Sequence, residues 1–223
     1  MSGVGAPKPL LIVAGMAREA RGLDDRHSVV LSGADAALLR SRLFELAPSD
    51  YAGVVSFGLA GGLDPALKPG DLALGTRALA PGAAYDAHPK FIEWLAQRAR
   101  KSGLAFATGP VAGVELPVMT VADKSALRGR TRAIAVDMES HAAGDFAARA
   151  RLPFAIVRVV SDPAERALPQ LVAHAIGADG RVRLGYLLAA LARAPGQLGA
   201  LLQTGRDSRA AFRTLRKCGD LFG

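Results

Sequence analysis

The chain has 223 residues, half of them apolar, which is enough for one domain with a sizeable core that needs no disulfide or structural metal. Its net charge of +8 is concentrated at one end, because residues 181–223 hold eight Arg or Lys against two Asp and the rest is nearly neutral. That distribution, without zinc-finger spacing or an aromatic-rich basic motif, argues against nucleic-acid binding by the body of the fold. The single cysteine, Cys218, makes no internal disulfide and reads as a structural residue. No stretch approaches the ~20 apolar residues of a membrane span, and the run in MSGVGAPKPLLIVAG is too short for a secretory leader, so a cytoplasmic location is expected.

In chain order, Leu10 to Ala14 reads as a strand, and Gly15 to Glu19 as the opening of a helical run. Ser28 to Leu31 reads as a second strand, and Ala34 to Leu46 as a helix with Leu38, Leu39, Leu43 and Leu46 on one face. Gly53 to Phe57 is a buried strand feeding a glycine-rich turn, GLAGGLDPALKPGDL, in which Gly58, Gly61 and Gly62 permit positive φ. That turn lacks the lysine and hydroxyl of a P-loop. Asp71 to Leu79 continues as a strand, and Pro81 and Gly82 mark a connection. Pro89 to Ser102 is a helix with Trp94 expected in the core. Leu104 to Leu116 gives another strand, and Asp123 to Leu127 a short helix.

Residues 133 to 163, AIAVDMESHAAGDFAARARLPFAIVRVVSDP, organise the rest. Two apolar strands, Ala133 to Val136 and Phe154 to Val160, each run into acids, with a helix from Ser140 to Arg151 between them. If the unit is a parallel strand-helix-strand, both strand ends open on one cleft and bring Glu139 and Asp162 together. Asp137 would alternate to the other face and be structural. The pattern as a whole predicts a three-layer α/β/α fold with a central mixed sheet. Residues 1–180 would form the body, and residues 181–223 a basic, leucine-rich helical extension packed on it. In that extension Leu184, Leu187, Leu188 and Leu191 share one helical face, Pro195-Gly196 and Gly205 are breaks, and Ser208 to Leu221 is a basic helix with Phe212 and Leu215 on its apolar side. The four histidines, His27, His88, His141 and His174, show no metal-ligand spacing.

Three segments in register, LIVAGMAREA, SFGLAGGLDPALKPGDL and AVDMES…AIVRVVSD, resemble the nucleoside phosphorylase and methylthioadenosine/S-adenosylhomocysteine nucleosidase superfamily. The resemblance spans roughly residues 10 to 165. Within it, the length, the glycine-loop wording and the basic tail look closest to the hopanoid-biosynthesis-associated phosphorylases, which are understood to remove adenine from adenosylhopane. The resemblance implies an enzyme that cleaves the N-glycosidic bond of a small-molecule or lipid-linked adenine nucleoside. A nucleosidase acting on a soluble nucleoside and a nucleoside-binding protein without turnover are the alternatives. Homo-oligomers are usual in the superfamily, and the basic tail offers a peripheral contact with the inner membrane face.

The resemblance also assigns roles. Asp162 would donate a proton to the purine, with Ser161 orienting it, and burial would keep that acid protonated. Glu139 would accept hydrogen bonds from the ribose hydroxyls and Met138 would pack on the sugar. Val118 and Met119 would flank the base. Glu19 matches the glutamate that activates water in the hydrolytic branch. In the phosphorolytic branch phosphate is a co-substrate, and Gly15, Arg18 and the Gly58, Leu59, Ala60, Gly61 loop would hold it; no cofactor and no metal are expected. Leu59 stands where relatives usually carry serine, and Ser56 where some phosphorylases have a phosphate-binding arginine.

Overall fold

The computed structural model describes residues 8–33, 35–168 and 198–223. Among these residues eight strands form one mixed sheet: β1 (Leu10–Ala14), β2 (Ser28–Leu31), β3 (Gly53–Gly62), β4 (Leu72–Ala80), β5 (Ala83–Asp86), β6 (Phe106–Gly113), β7 (Ala135–Asp137) and β8 (Phe154–Asp162). The helices among the described residues are α1 (Ala36–Phe44), α2 (Pro89–Lys101), α3 (Val121–Thr131), α4 (Ser140–Ala150) and α5 (Leu198–Gly219). Short polar signals start them. Asp35 accepts from the backbone amides of Ala37 and Leu38 at the start of α1, Thr120 accepts from Asp123 at the start of α3, and Pro89 opens α2.

The strands alternate their side chains between two helical layers, which makes the expected three-layer arrangement. Leu11, Val13, Val54, Phe154 and Ile156 face a core shared with Leu39 and Leu43 of α1 and Ala142, Ala143 and Ala147 of α4. Ile12, Val55, Phe57, Ala155 and Val157 face the opposite core, with Leu95, Ala96 and Ala99 of α2 and Ala211, Leu215 and Cys218 of α5. The sheet also closes on itself, since β3 pairs with β8, β8 with β4, β4 with β6, β6 with β7, and β7 with β3. No helix among the described residues is long and apolar enough to cross a membrane.

Several local expectations need correction. Residues 15 to 27 form successive turns rather than a helix, with Glu19 N bonded to Met16 O and Leu23 N to Ala20 O, because the Glu19 carboxylate turns back onto the amides of Gly15 and Met16. The glycine-rich turn is mostly strand: β3 runs to Gly62, and of Gly58, Gly61 and Gly62 only Gly58 has positive φ. Pro81 and Gly82 make a hairpin to β5, an edge strand. Trp94 is 36% exposed, because α2 buries the Leu95, Ala96 and Ala99 stripe and leaves Trp94 against Phe91 and under Arg98. Gly205 does not break α5, which continues through it. The Leu184 to Leu191 face and the Pro195-Gly196 break lie outside the described residues.

The most consequential correction concerns β7 and β8. They are not a parallel pair: β7 is antiparallel to β3 while β8 is parallel to it. Both nevertheless reach the same place, because Gly61 of β3 is in register with Val136 on one side and Asp162 on the other.

Candidate active site

The site originates in an interrupted edge of β3. One edge pairs with β8 along nearly its whole length, while the other pairs with β1 only as far as Ser56 and with β7 only from Gly61. Residues 57 to 60 are left without a strand partner on that edge, and Leu59 and Ala60 face a cleft of about 220 Å³. It is lined by Gly15, Met16 and Glu19 at one end, by Leu59 to Gly61, by Val136 to Glu139, by Ser161 and Asp162, and by Val114, Pro117, Val118 and Leu168. Among the described residues the lining contains four carboxylates and no lysine or arginine. A larger cavity, of about 800 Å³, adjoins it at Val114, with Tyr85, Glu115 and His141 in its wall.

At one end two buried glutamates meet. A Cβ placed on Gly15 would lie 3.0 Å from Glu19 Oε2 and 3.1 Å from Glu139 Oε1. Glu19 Oε2 accepts from Gly15 N at 2.8 Å and Met16 N at 3.1 Å, and Oε1 accepts from Leu59 N, on the open edge, at 3.3 Å. Burial, and then the negative charge of Glu139, push the Glu19 pKa from 4.5 to about 7, against the pull of Arg158 and the backbone amides. Burial likewise raises the Glu139 pKa, opposed by Arg158 and by the Ser32 hydroxyl, which donates to Oε1 at 2.9 Å.

Beneath the pair lies Arg158, in the middle of β8 and wholly buried. Its Nη2 is 3.3 Å from Glu139 Oε2 and 2.5 Å from Ser56 Oγ, and its Nε is 2.6 Å from Asp137 Oδ2. Burial alone would lower its pKa, but Asp137, Glu139 and Glu19 outweigh that and raise it. Gly58 is opposite Arg158 in the ladder, and a Cβ there would sit 2.7 Å from Glu19 Oε2 and 2.8 Å from Arg158 Nη1. Only glycine leaves room for the glutamate and the arginine together.

At the other end Asp162 is buried and held on both oxygens. Ser161 Oγ donates to Oδ1 at 2.7 Å, and Lys124 Nζ donates to Oδ2 at 2.5 Å.

A family model described as the phosphorylase superfamily matches residues 31–191. The chain belongs to that superfamily. The matched stretch contains β3, β7 and β8 but begins after the Glu19 turn. Solved structures share the superfamily's fold at low identity. A Helicobacter pylori MTAN mutant, with 5′-methylthioadenosine in its active site, is 14% identical with a TM-score of 0.67, over 96% of this chain and 99% of that one. Futalosine hydrolase from the same organism is 13% identical with a TM-score of 0.66, over 96% and 97%. A methylthioadenosine/S-adenosylhomocysteine nucleosidase from Colwellia psychrerythraea, in complex with adenine, is 21% identical with a TM-score of 0.60, over 72% and 84%. No curated protein sequence matches the chain.

Of the residues that the sequence nominates in this superfamily member, Gly15, Glu19, Leu59, Ala60, Gly61, Val118, Met138, Glu139, Ser161 and Asp162 line the one cleft. Gly58 lies under it.

Three of the expected roles change. Arg18 is exposed and lies over the Phe212 ring of α5 at 4.1 Å, outside the cleft, since its turn faces that helix. Met119 does not line the cleft, whereas Leu168, whose backbone amide donates to Met119 O, does. Asp137 does not alternate away, because the chain leaves the strand there, its Oδ1 accepting from Glu139 N and Ser140 N while its other oxygen meets Arg158.

Arg158, Ser32 and Lys124 were missed. A charged residue at the centre of the apolar run FAIVRVVSD was the readable signal for Arg158, since such a residue must find buried partners. Ser32 and Lys124 carry no comparable mark.

Proposed function

We propose that this protein hydrolyses the N-ribosyl bond of an adenine nucleoside and releases adenine. The observation that carries the reading is the division of one cleft between a buried Glu19–Glu139 pair over Arg158 and a fixed Asp162 at the far end.

As the bond lengthens, positive charge grows on the sugar and negative charge on the base. Glu19, with its pKa near neutrality, takes the proton of a water aimed at the anomeric carbon. Glu139 accepts hydrogen bonds from the ribose hydroxyls, and Met138 packs on the sugar. Asp162, oriented by Ser161, delivers a proton to the departing purine, whose faces meet Val118 and Leu168.

Water is favoured over phosphate because four carboxylates line the cleft while Arg18 points to α5 and Arg158 is already engaged. A doubly charged anion would meet repulsion there, whereas water meets a base. Apart from the acids and Ser161, the lining among the described residues is apolar, which suits an apolar 5′ substituent, and adenosylhopane is the substrate raised by the sequence resemblance.

Adenine release from adenosine, 5′-methylthioadenosine and detergent-dispersed adenosylhopane, each with and without phosphate, tests the proposal. The expected result is phosphate-independent release, fastest with the apolar substituents. Strict phosphate dependence would refute the hydrolytic step, and the absence of adenine release would refute the enzyme reading.

A further inference from the structure

Lys124 is among the largest fully buried side chains, 1% exposed, and lies in the first turn of α3. The placement is unfavourable twice over. An ammonium out of water costs several kcal/mol, and the positive end of a helix dipole adds to that cost. An apolar side chain of similar length would fill the same space without either penalty. What Lys124 gains is three bonds on one short segment: Asp162 Oδ2 at 2.5 Å, the carbonyl oxygen of Pro163 at 2.8 Å and that of Arg166 at 2.9 Å. The Arg166 guanidinium in turn pairs with Asp207 of α5, so residues 162 to 166 are clamped from below and from the side.

We propose that Lys124 is the positioning residue for the purine-side acid and the source of its proton. The inference rests on the adenine-nucleosidase reading. Asp162 has one oxygen on the Ser161 hydroxyl and the other on the Lys124 ammonium, so among the described side chains the cation in contact with the carboxylate is Lys124. The proton moves from Nζ to Oδ2, breaking an N–H bond and forming an O–H bond. As the C–N bond to the base breaks, its electron pair passes into the purine, and the proton leaves Asp162 for the purine nitrogen. The pair ends as a neutral amine beside a carboxylate, and once the base has left, solvent in the cleft returns one proton through Asp162, which lines it, to the buried amine. Both carbonyl contacts hold the amine in place through the cycle.

The test compares two leaving groups in the wild type, Lys124→Met and Lys124→Arg. Adenine must be protonated to depart, whereas nitrophenolate from a nitrophenyl riboside departs without help. Lys124→Met is expected to lower kcat for adenine release about 10²–10³-fold, within the range of general acid catalysis, while nitrophenolate release changes less than about threefold. Lys124→Arg keeps a cation that does not give up its proton, and it is expected not to restore adenine release. The paired variant Lys124→Met/Asp162→Asn removes both buried charges and guards against misfolding; it should be no slower with adenine than Asp162→Asn alone. Equal slowing of both substrates by Lys124→Met, or full rescue by Lys124→Arg, overturns the assignment of Lys124 while leaving the nucleosidase reading intact. A wild type that releases nitrophenolate but not adenine overturns both.

Discussion

Replacing Glu19 by glutamine removes a charge and almost nothing else. The carboxylate accepts from Gly15 N and Met16 N on one oxygen and from Leu59 N on the other, so an amide keeps the first two bonds and sets its NH2 against Leu59 N at 3.3 Å, the longest of the three contacts. Because burial and Glu139 raise the pKa of Glu19 from 4.5 to about 7, the folded chain retains a proton through that window which the unfolded chain has released. Stability therefore falls as pH rises from 4.5 towards 7, and at ~1.4 kcal/mol per pH unit the loss assigned to Glu19 is roughly 3 kcal/mol. Glu19→Gln should flatten this dependence, so that above about pH 7 it regains up to that amount, less what the Leu59 contact and the Arg158 charge contributed. In a protein of this size the gain corresponds to a rise in Tm on the order of 10 °C. The same change removes the proposed base, and kcat for adenine release should fall by about 10²–10⁴. Wild-type activity should rise with pH as Glu19 ionises near 7. Urea unfolding on both sides of the window, with kcat for both proteins, measures all of this. An unchanged loss of stability between pH 4.5 and 7, or a kcat within tenfold of wild type, refutes the reasoning.

Gly58→Ala would place a Cβ 2.7 Å from Glu19 Oε2 and 2.8 Å from Arg158 Nη1 at a positive φ, and should cost about 1–3 kcal/mol in urea unfolding with a larger proportional loss of activity. Arg158→Met leaves Asp137, Glu139 and Glu19 without their shared cation and should cost about 3–5 kcal/mol at neutral pH, with part of the loss recovered in acid as the carboxyls protonate. Cys218, on the buried face of α5 and with its thiol pushed up to about 12, should resist a maleimide in the folded protein and react in denaturant. Rapid labelling of the native chain would mean that α5 does not stay docked.

The sequence by itself determined the order and kind of most elements, because apolar periodicity and capping residues act over a few residues and do not depend on distant partners. It also singled out Glu139 and Asp162, since acids at the ends of apolar strands stand out from their surroundings, whereas Glu19 and Ser161 came only from the resemblance of three separated motifs to the superfamily. Its reason for bringing Glu139 and Asp162 together was nevertheless mistaken. Tertiary structure alone decided that β7 and β8 run in opposite directions and meet because both are in register with Gly61. The same holds for Arg18 and Trp94, whose orientations depend on where α5 lies and on which stripe of α2 faces the sheet. Lys124 is the extreme case. It is 38 residues from Asp162 in a polar helix, and nothing local marks it. Its pairing with Asp162 is a long-range contact of buried charges, which strand register and helix docking establish and local sequence does not.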